Sequence, residues 1–127
     1  MSKEHLDLGK SGEELAAGLL KQNGYKIIAR NYKTKLGEID IIAEDKDTLC
    51  FIEVKTRKSD NFGLPQEAIF KHKQRQISKV AINFLKNNNL LEKKARFDVI
   101  AITYLEKDNP RLDLIKDAFE LDSRYAL

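Results

Sequence analysis

Asp40, Glu53 and Lys55 are the residues whose types and spacing could do chemistry. Asp40 lies in Gly37-Glu38-Ile39-Asp40-Ile41-Ile42, and Glu53 and Lys55 close the stretch Leu49-Cys50-Phe51-Ile52-Glu53-Val54-Lys55. The apolar runs Ile39 to Ala43 and Leu49 to Val54 read as neighbouring strands joined by the polar turn Glu44-Asp45-Lys46-Asp47. The second run is apolar at both parities, the pattern of a strand buried on both faces. It nevertheless ends in Glu53 and Lys55, which share a face because side chains alternate along a strand. Charges beside a buried strand are rare unless they are paired or bind something. If the two strands pair, Asp40 sets a second carboxylate beside Glu53. An Asp and a Glu together favour a hard divalent cation such as Mg²⁺ or Mn²⁺, with Lys55 next to it. Such a metal lowers the pKa of its bound water and offsets charge on a pentacoordinate phosphorus, while the lysine positions water or steadies developing charge. This is the chemistry of a phosphodiesterase acting on a nucleic acid.

The rest of the chain has to position that cluster. Ser11 to Asn23 has helical periodicity, with Leu15, Ala16, Leu19 and Leu20 as one apolar stripe and Gly24 as the stop. Glu13 falls on the edge of the stripe, where it can face the sheet, whereas Glu14 points away. Tyr25 to Ala29 reads as a short strand leading into a loop from Arg30 to Gly37. That loop carries Arg30, Lys33, Lys35 and Tyr32, a composition suited to phosphates and a base or sugar face and equally to a solvated turn. Arg57 and Lys58 extend the positive charge beyond Lys55. Ser59 to Pro65 reads as a loop that either borders a cleft or acts as a mobile flap.

Gln66 to about Asn87 is the longest helix, closed by three asparagines, with Ile77, Val80, Ala81, Phe84 and Leu85 facing inward. Four residues before Ile77, Lys73 belongs to the same inward side. Lys71, Arg75 and Lys79 form a basic ridge, either for phosphates or simply solvated. Arg96 to Thr103 reads as a strand in which Asp98 pairs with Arg96 or a helix lysine rather than serving catalysis. Pro110 marks a turn, Leu112 to Ile115 an edge strand, and Asp117-Ala118-Phe119 a final anchor. The order is helix, three strands, helix, then one or two strands, an α/β arrangement with helices covering a sheet whose first strands form a meander. Glu13, Asp40, Glu53 and Lys55 can converge on that frame.

Composition narrows the alternatives. A chain of 127 residues suits one domain, residues 1–127, and 42% hydrophobic with 34% charged residues places it among folded rather than disordered chains. No apolar run approaches the roughly 20 residues of a membrane span and no signal-peptide core begins the chain, so no membrane partner and a cytoplasmic location are expected. The single cysteine, Cys50, excludes a disulfide framework and a cysteine zinc site. A net charge of +3 is too small to identify a nucleic-acid partner; the distribution of charge carries that reading. There is no Gly-rich phosphate loop and no nucleophile elbow. His5 and His72 read as surface residues, and the absence of tryptophan argues against a sugar-binding cleft.

The spacing from Asp40 to Glu53-Val54-Lys55 resembles the D-(x)n-(D/E)-x-K signature of the restriction-endonuclease-like superfamily. No proline precedes Asp40, where the superfamily's name-giving motif has one and many members do not. Around it, Gly12-Glu13, Ala16, Gly24-Tyr25, Arg30-Asn31, Gly37-Glu38-Ile39-Asp40, Phe51 to Arg57, Glu67-Ala68, Lys73, Arg96-Phe97-Asp98 and Ala118-Phe119 resemble, in order, the bacterial YraN-like family. That family is similar in its core to Holliday-junction resolvases. The resemblance implies an αβββαβ core with a mixed sheet flanked by helices, and a metal-dependent endonuclease acting on DNA, with branched or recombination intermediates as a candidate substrate. It implies Asp40, Glu53 and Glu13 as ligands of Mg²⁺ or Mn²⁺ with the main-chain carbonyl of Val54, and Lys55 as the catalytic lysine. Lys33, Lys35, Arg57, Lys73, Arg75 and Lys79 are the candidate phosphate contacts. Junction cutting calls for a homodimer. The competing expectation is a non-catalytic DNA-binding or protein-interaction module on the same frame, with Glu53 and Lys55 a structural ion pair.

Overall fold

Both helices stop where the sequence supplies a residue that tolerates left-handed backbone. The computed structural model describes residues 8–58, 71–106 and 109–120, and for residues 8–11, 71, 105 and 106 the backbone alone. Helix α1 (Leu8–Gln22) ends at Gly24, φ 84°, where the N–H of Gly24 bonds Lys21 and that of Tyr25 bonds Leu20. Helix α2 (Lys71–Asn87) repeats this with Asn89, φ 56°, as the N–H groups of Asn89 and Leu90 bond Lys86 and Leu85. Each is a Schellman ending that satisfies the last carbonyls and sends the chain sharply back towards the core. The first turn expected from Gln66 and the loop from Ser59 to Pro65 lie outside the described residues.

Five strands follow the expected order: β1 (Lys26–Thr34), β2 (Gly37–Asp45) and β3 (Thr48–Arg57) precede α2, and β4 (Lys94–Glu106) and β5 (Asn109–Phe119) follow it. They form one sheet in sequence order, with every neighbouring pair antiparallel except β3 and β4. The parallel pair is reached through α2, the crossover such a pair requires. Two expectations are corrected, and the first is Pro110, which lies inside β5 rather than at a turn. The basic segment from Arg30 is not a loop but the second half of β1, paired Arg30 with Ile41, Tyr32 with Ile39 and Lys33 with Glu38. Only Lys35 and Leu36 turn, and Thr34 Oγ1 braces them by accepting the Leu36 N–H (3.0 Å) and donating to the Gly37 carbonyl (3.3 Å). β1 is an edge strand open to water along much of its length, so it can be polar and still pair with the apolar β2.

The helices cover opposite faces. Ile39, Ile42, Phe51, Phe97 and Val99 pack against Ile77, Val80, Ala81, Phe84 and Leu85 of α2. Ile41, Ala43, Ile52, Ile100 and Ile102 pack against Ala16 and Leu20 of α1. β3, between the two layers, is apolar at both parities for that reason, and Cys50 is one of its fully buried side chains. Burial raises its thiol to about 12, with Asp98 adding to the effect. Asp98 is itself fully buried and is satisfied by Arg96 Nε (2.8 Å) and Nη2 (2.9 Å), the Tyr25 hydroxyl (2.9 Å) and the N–H of Asp117 (2.9 Å). The expected pairing of Asp98 with Arg96 is present. Arg96 Nη2 also reaches the Tyr25 oxygen (2.9 Å) and Asp45 (3.0 Å), which Lys116 joins at 3.3 Å.

Candidate functional site

β2 and β3 part where the charged residues begin. Their ladder ends at Ile41 opposite Ile52, although β3 stays paired with β4 as far as Arg57 and β2 stays paired with β1 as far as Gly37. In the notch so opened, Asp40 Oδ2 accepts the N–H of Val54 at 2.8 Å, so a side chain takes over where the ladder stops. The alternation of β2 breaks at the same residue. Ile41 and Ala43 pack towards α1, yet Ile39 packs with α2, and a Cβ on Gly37 would lie 3.4 Å from Val80. Across from Asp40 on β1, between the pairs Arg30–Ile41 and Tyr32–Ile39, Asn31 has left-handed backbone, φ 52°. Asparagine is among the few residues that accept this conformation, and such outliers collect at functional sites.

Glu53 follows Phe51 on the α2 face, and its side chain is only 12% exposed. Its carboxyl lies close enough to Asp40 to feel that charge, and Lys73 of α2 stands 3.7 Å from Oε1. Burial, then the Asp40 charge, raises the Glu53 carboxyl to about 7, with Lys73 opposing. Asp40 is raised as well, chiefly by burial and further by Glu38 and Glu13, against the Val54 N–H and Lys73. Two carboxylates with too little positive charge are a poor resting arrangement, and one that favours any cation able to join them.

With a folded pKa near 7 against an ordinary 4.5, folded Glu53 holds a proton that the unfolded chain releases across that interval. Metal-free stability therefore falls as pH rises from 4.5 to 7, and the full cost is present above 7. Glu53→Gln in chelator is expected to be more stable than the native chain at pH 8, by on the order of 2 kcal/mol. Urea titrations at a series of pH values check this, with the advantage closing towards pH 4.5. A variant destabilised at pH 8 contradicts it.

The other candidates lie at graded distances from this pair. Glu13 is brought near because Gly12 has no side chain: a Cβ there would meet Thr56 Oγ1 at 3.3 Å, so α1 sits close on the end of β3. Glu13 is near enough to raise Asp40 but is held by Asn31 Nδ2 (3.3 Å), with Arg30 at 3.9 Å. Glu14 is exposed and pairs with Arg30 at 3.0 Å. Lys55 is exposed beyond Glu53 and makes no ion pair with the described residues. Lys33 and Lys35 are exposed on the β1–β2 hairpin, whose Gly37 meets Gln76 and Val80 of α2, the stretch that also exposes Arg75 and Lys79. The side chain of Lys71 lies outside the described residues. Arg57 is turned inward, 8% exposed, with Nε donating to Thr103 Oγ1 at 3.1 Å. Asn31 has no site role in the sequence reading, and its signal there is its place in Arg30-Asn31, one of the stretches that carry the family resemblance.

Among the described residues no three His, Cys, Asp or Glu side chains stand close enough to hold a metal ion. Asp40 and Glu53 are thus a two-carboxylate set with oxygen donors only. That set fits Mg²⁺, which keeps several waters and is commonly held by one or two carboxylates plus substrate phosphates.

The family model described as "Uncharacterised protein family UPF0102" matches residues 12–102. The chain is similar to a "UPF0102 protein" of Syntrophus aciditrophicus, 49% identical over 118 residues, 93% of this chain and 92% of the relative. It is also similar to a UPF0102 protein of Geobacter sulfurreducens, 52% identical over 114 residues, 90% of this chain and 89% of that one. Among the described residues, no helix is long and apolar enough to cross a membrane.

Proposed function

We propose that this chain, which belongs to the uncharacterised protein family UPF0102, is a Mg²⁺- or Mn²⁺-dependent endonuclease that hydrolyses DNA phosphodiester bonds, with branched or recombination intermediates as its substrate class. The observation that carries this reading is the half-buried Asp40–Glu53 pair at the parting of β2 and β3.

Asp40 and Glu53 would hold the cation. Val54 adds a third oxygen: in an extended strand the N–H and carbonyl of one residue point to the same edge, and its N–H already faces Asp40. The metal supplies Lewis acidity and a hydroxide-like water at neutral pH. Lys55, on the strand face of Glu53 and reaching solvent, orients the attacking water or meets charge on the phosphoryl oxygens. Glu13 stands behind Asp40 and orients it through the local field, with Asn31 holding Glu13 in place. Lys33, Lys35, Arg75 and Lys79 contact phosphates on either side. Arg57, buried against Thr103, braces the end of β3 instead.

One observation favours a second reading, DNA binding without cleavage: Glu53 already has a protein cation beside it in Lys73. A labelled panel of single strand, duplex, flap and four-way junction, incubated with Mg²⁺ or Mn²⁺, separates the two. Cleavage by the native chain is expected, and Lys55→Ala should cut roughly 10²–10⁴-fold more slowly while retaining fold and DNA affinity. Binding of the panel by both proteins, with cutting by neither, would favour the second reading.

A further inference from the structure

We infer that Lys73 is a built-in counter-cation for the carboxylate pair, and that it exchanges partners when a divalent cation arrives, leaving Glu53 for a nucleic-acid phosphate. This rests on the metal-site reading above and adds a coupling between metal and DNA.

Among the described residues Lys73 is the cation paired with Glu53, and Lys55, two residues along the same strand face, is not. At 3.7 Å the contact is longer than the 2.7–2.9 Å typical of a charge-assisted hydrogen bond, so it balances charge without clamping. The two partners differ in accessibility: the Glu53 side chain is 12% exposed and that of Lys73 39%. The ammonium thus approaches the pair from the water side on a flexible stem, able to swing outward without disturbing the core. A single positive charge is also an incomplete match for two carboxylates. A divalent cation between them would repel the ammonium from its place. Lys33 and Lys35 are exposed on the hairpin whose Gly37 meets α2 at Gln76 and Val80, so a released Lys73 swings towards cations already exposed on that side.

Linkage makes the idea testable, because a lysine that competes with the metal must weaken its binding, and a metal that frees the lysine must strengthen DNA binding. Isothermal titration of Mg²⁺ at pH 8.5 would compare the native chain with Lys73→Met and Lys73→Gln, with Asp40→Asn as the control that the heat reports this site. Both Lys73 variants are expected to bind Mg²⁺ roughly fivefold more tightly or better. Duplex DNA binding, followed by anisotropy in Ca²⁺ across a salt series, gives an independent readout. The slope of log affinity against log salt should steepen on adding Ca²⁺ by about one phosphate contact in the native chain and stay unchanged in Lys73→Met. Equal or weaker Mg²⁺ binding by both variants, with the heat abolished in Asp40→Asn, overturns the exchange and leaves the metal site standing. Heat that survives Asp40→Asn, or no heat in any protein, removes the metal site and the exchange with it.

Discussion

Asp98→Ala is expected to cost about 3–5 kcal/mol of folding stability, the usual penalty for stranding one partner of a buried ion pair. For a domain of this size that lowers Tm by roughly 10–20 °C. The carboxylate accepts from Arg96, Tyr25 and the Asp117 N–H while fully buried, so its loss leaves donors from three segments without their acceptor. Arg96 would retain Asp45 at 3.0 Å, an incomplete replacement. Asp45 lies below the usual carboxylate range because Arg96 and then Lys116 bond it, so it stabilises the fold at neutral pH and gives that up as pH falls below about 4. Thermal melts of Asp98→Ala and of Asp98→Ala/Arg96→Met check the prediction, the double variant recovering part of the loss. Melts within 2–3 °C of the native chain for the single variant would contradict a cost of this size.

On the endonuclease reading proposed above, Asp40→Asn is expected to lose DNA cleavage by on the order of 10³-fold or more while keeping or gaining stability. Asparagine retains an oxygen for the Val54 N–H and discards the charge, so the strand junction persists while a bound cation would lose a ligand. Asp40→Ala removes both, and its unpaired N–H should cost about 1–3 kcal/mol. Parallel rate and denaturation measurements would read activity down in both variants and stability down only in alanine. A fully active Asp40→Asn would remove the carboxylate pair from the mechanism.

These two residues also show what was readable beforehand. Asp40 and Glu53 announced themselves because charges interrupt runs otherwise apolar at successive positions, and the pairing of those runs follows from a short turn. Asp98 was legible for the same reason, and Arg96, two residues away on the same strand face, was the natural partner. The helix stops at Gly24 and the asparagine run were local signals, and both proved to be Schellman endings. What stayed hidden depends on residues distant in sequence. Tyr25 reads only as the first residue of a short strand until β4 brings Asp98 beneath its hydroxyl. Arg57 reads as one more surface cation until Thr103 meets it. In the sequence β1 reads as ending at Ala29, because an edge strand with one covered face needs few apolar residues and Arg30 to Thr34 have the composition of a turn. Nothing local to Asp40 reveals that its carboxylate caps a backbone N–H.

The register of the central strands also bears on how the molecule is made. β1, β2 and β3 pair through tight turns, so Asp40 meets Glu53 using contacts close along the chain, which form at little loop-closure cost. β3 meets its other neighbour only through Thr48 with Lys94 and onward to Arg57 with Thr103. During synthesis Asp40 and Glu53 can therefore come together while the far edge of β3, apolar on both faces, still waits for β4 to leave the ribosome. That edge is an unpaired apolar strand edge of the kind that invites aggregation, and β4 is the segment whose arrival protects it.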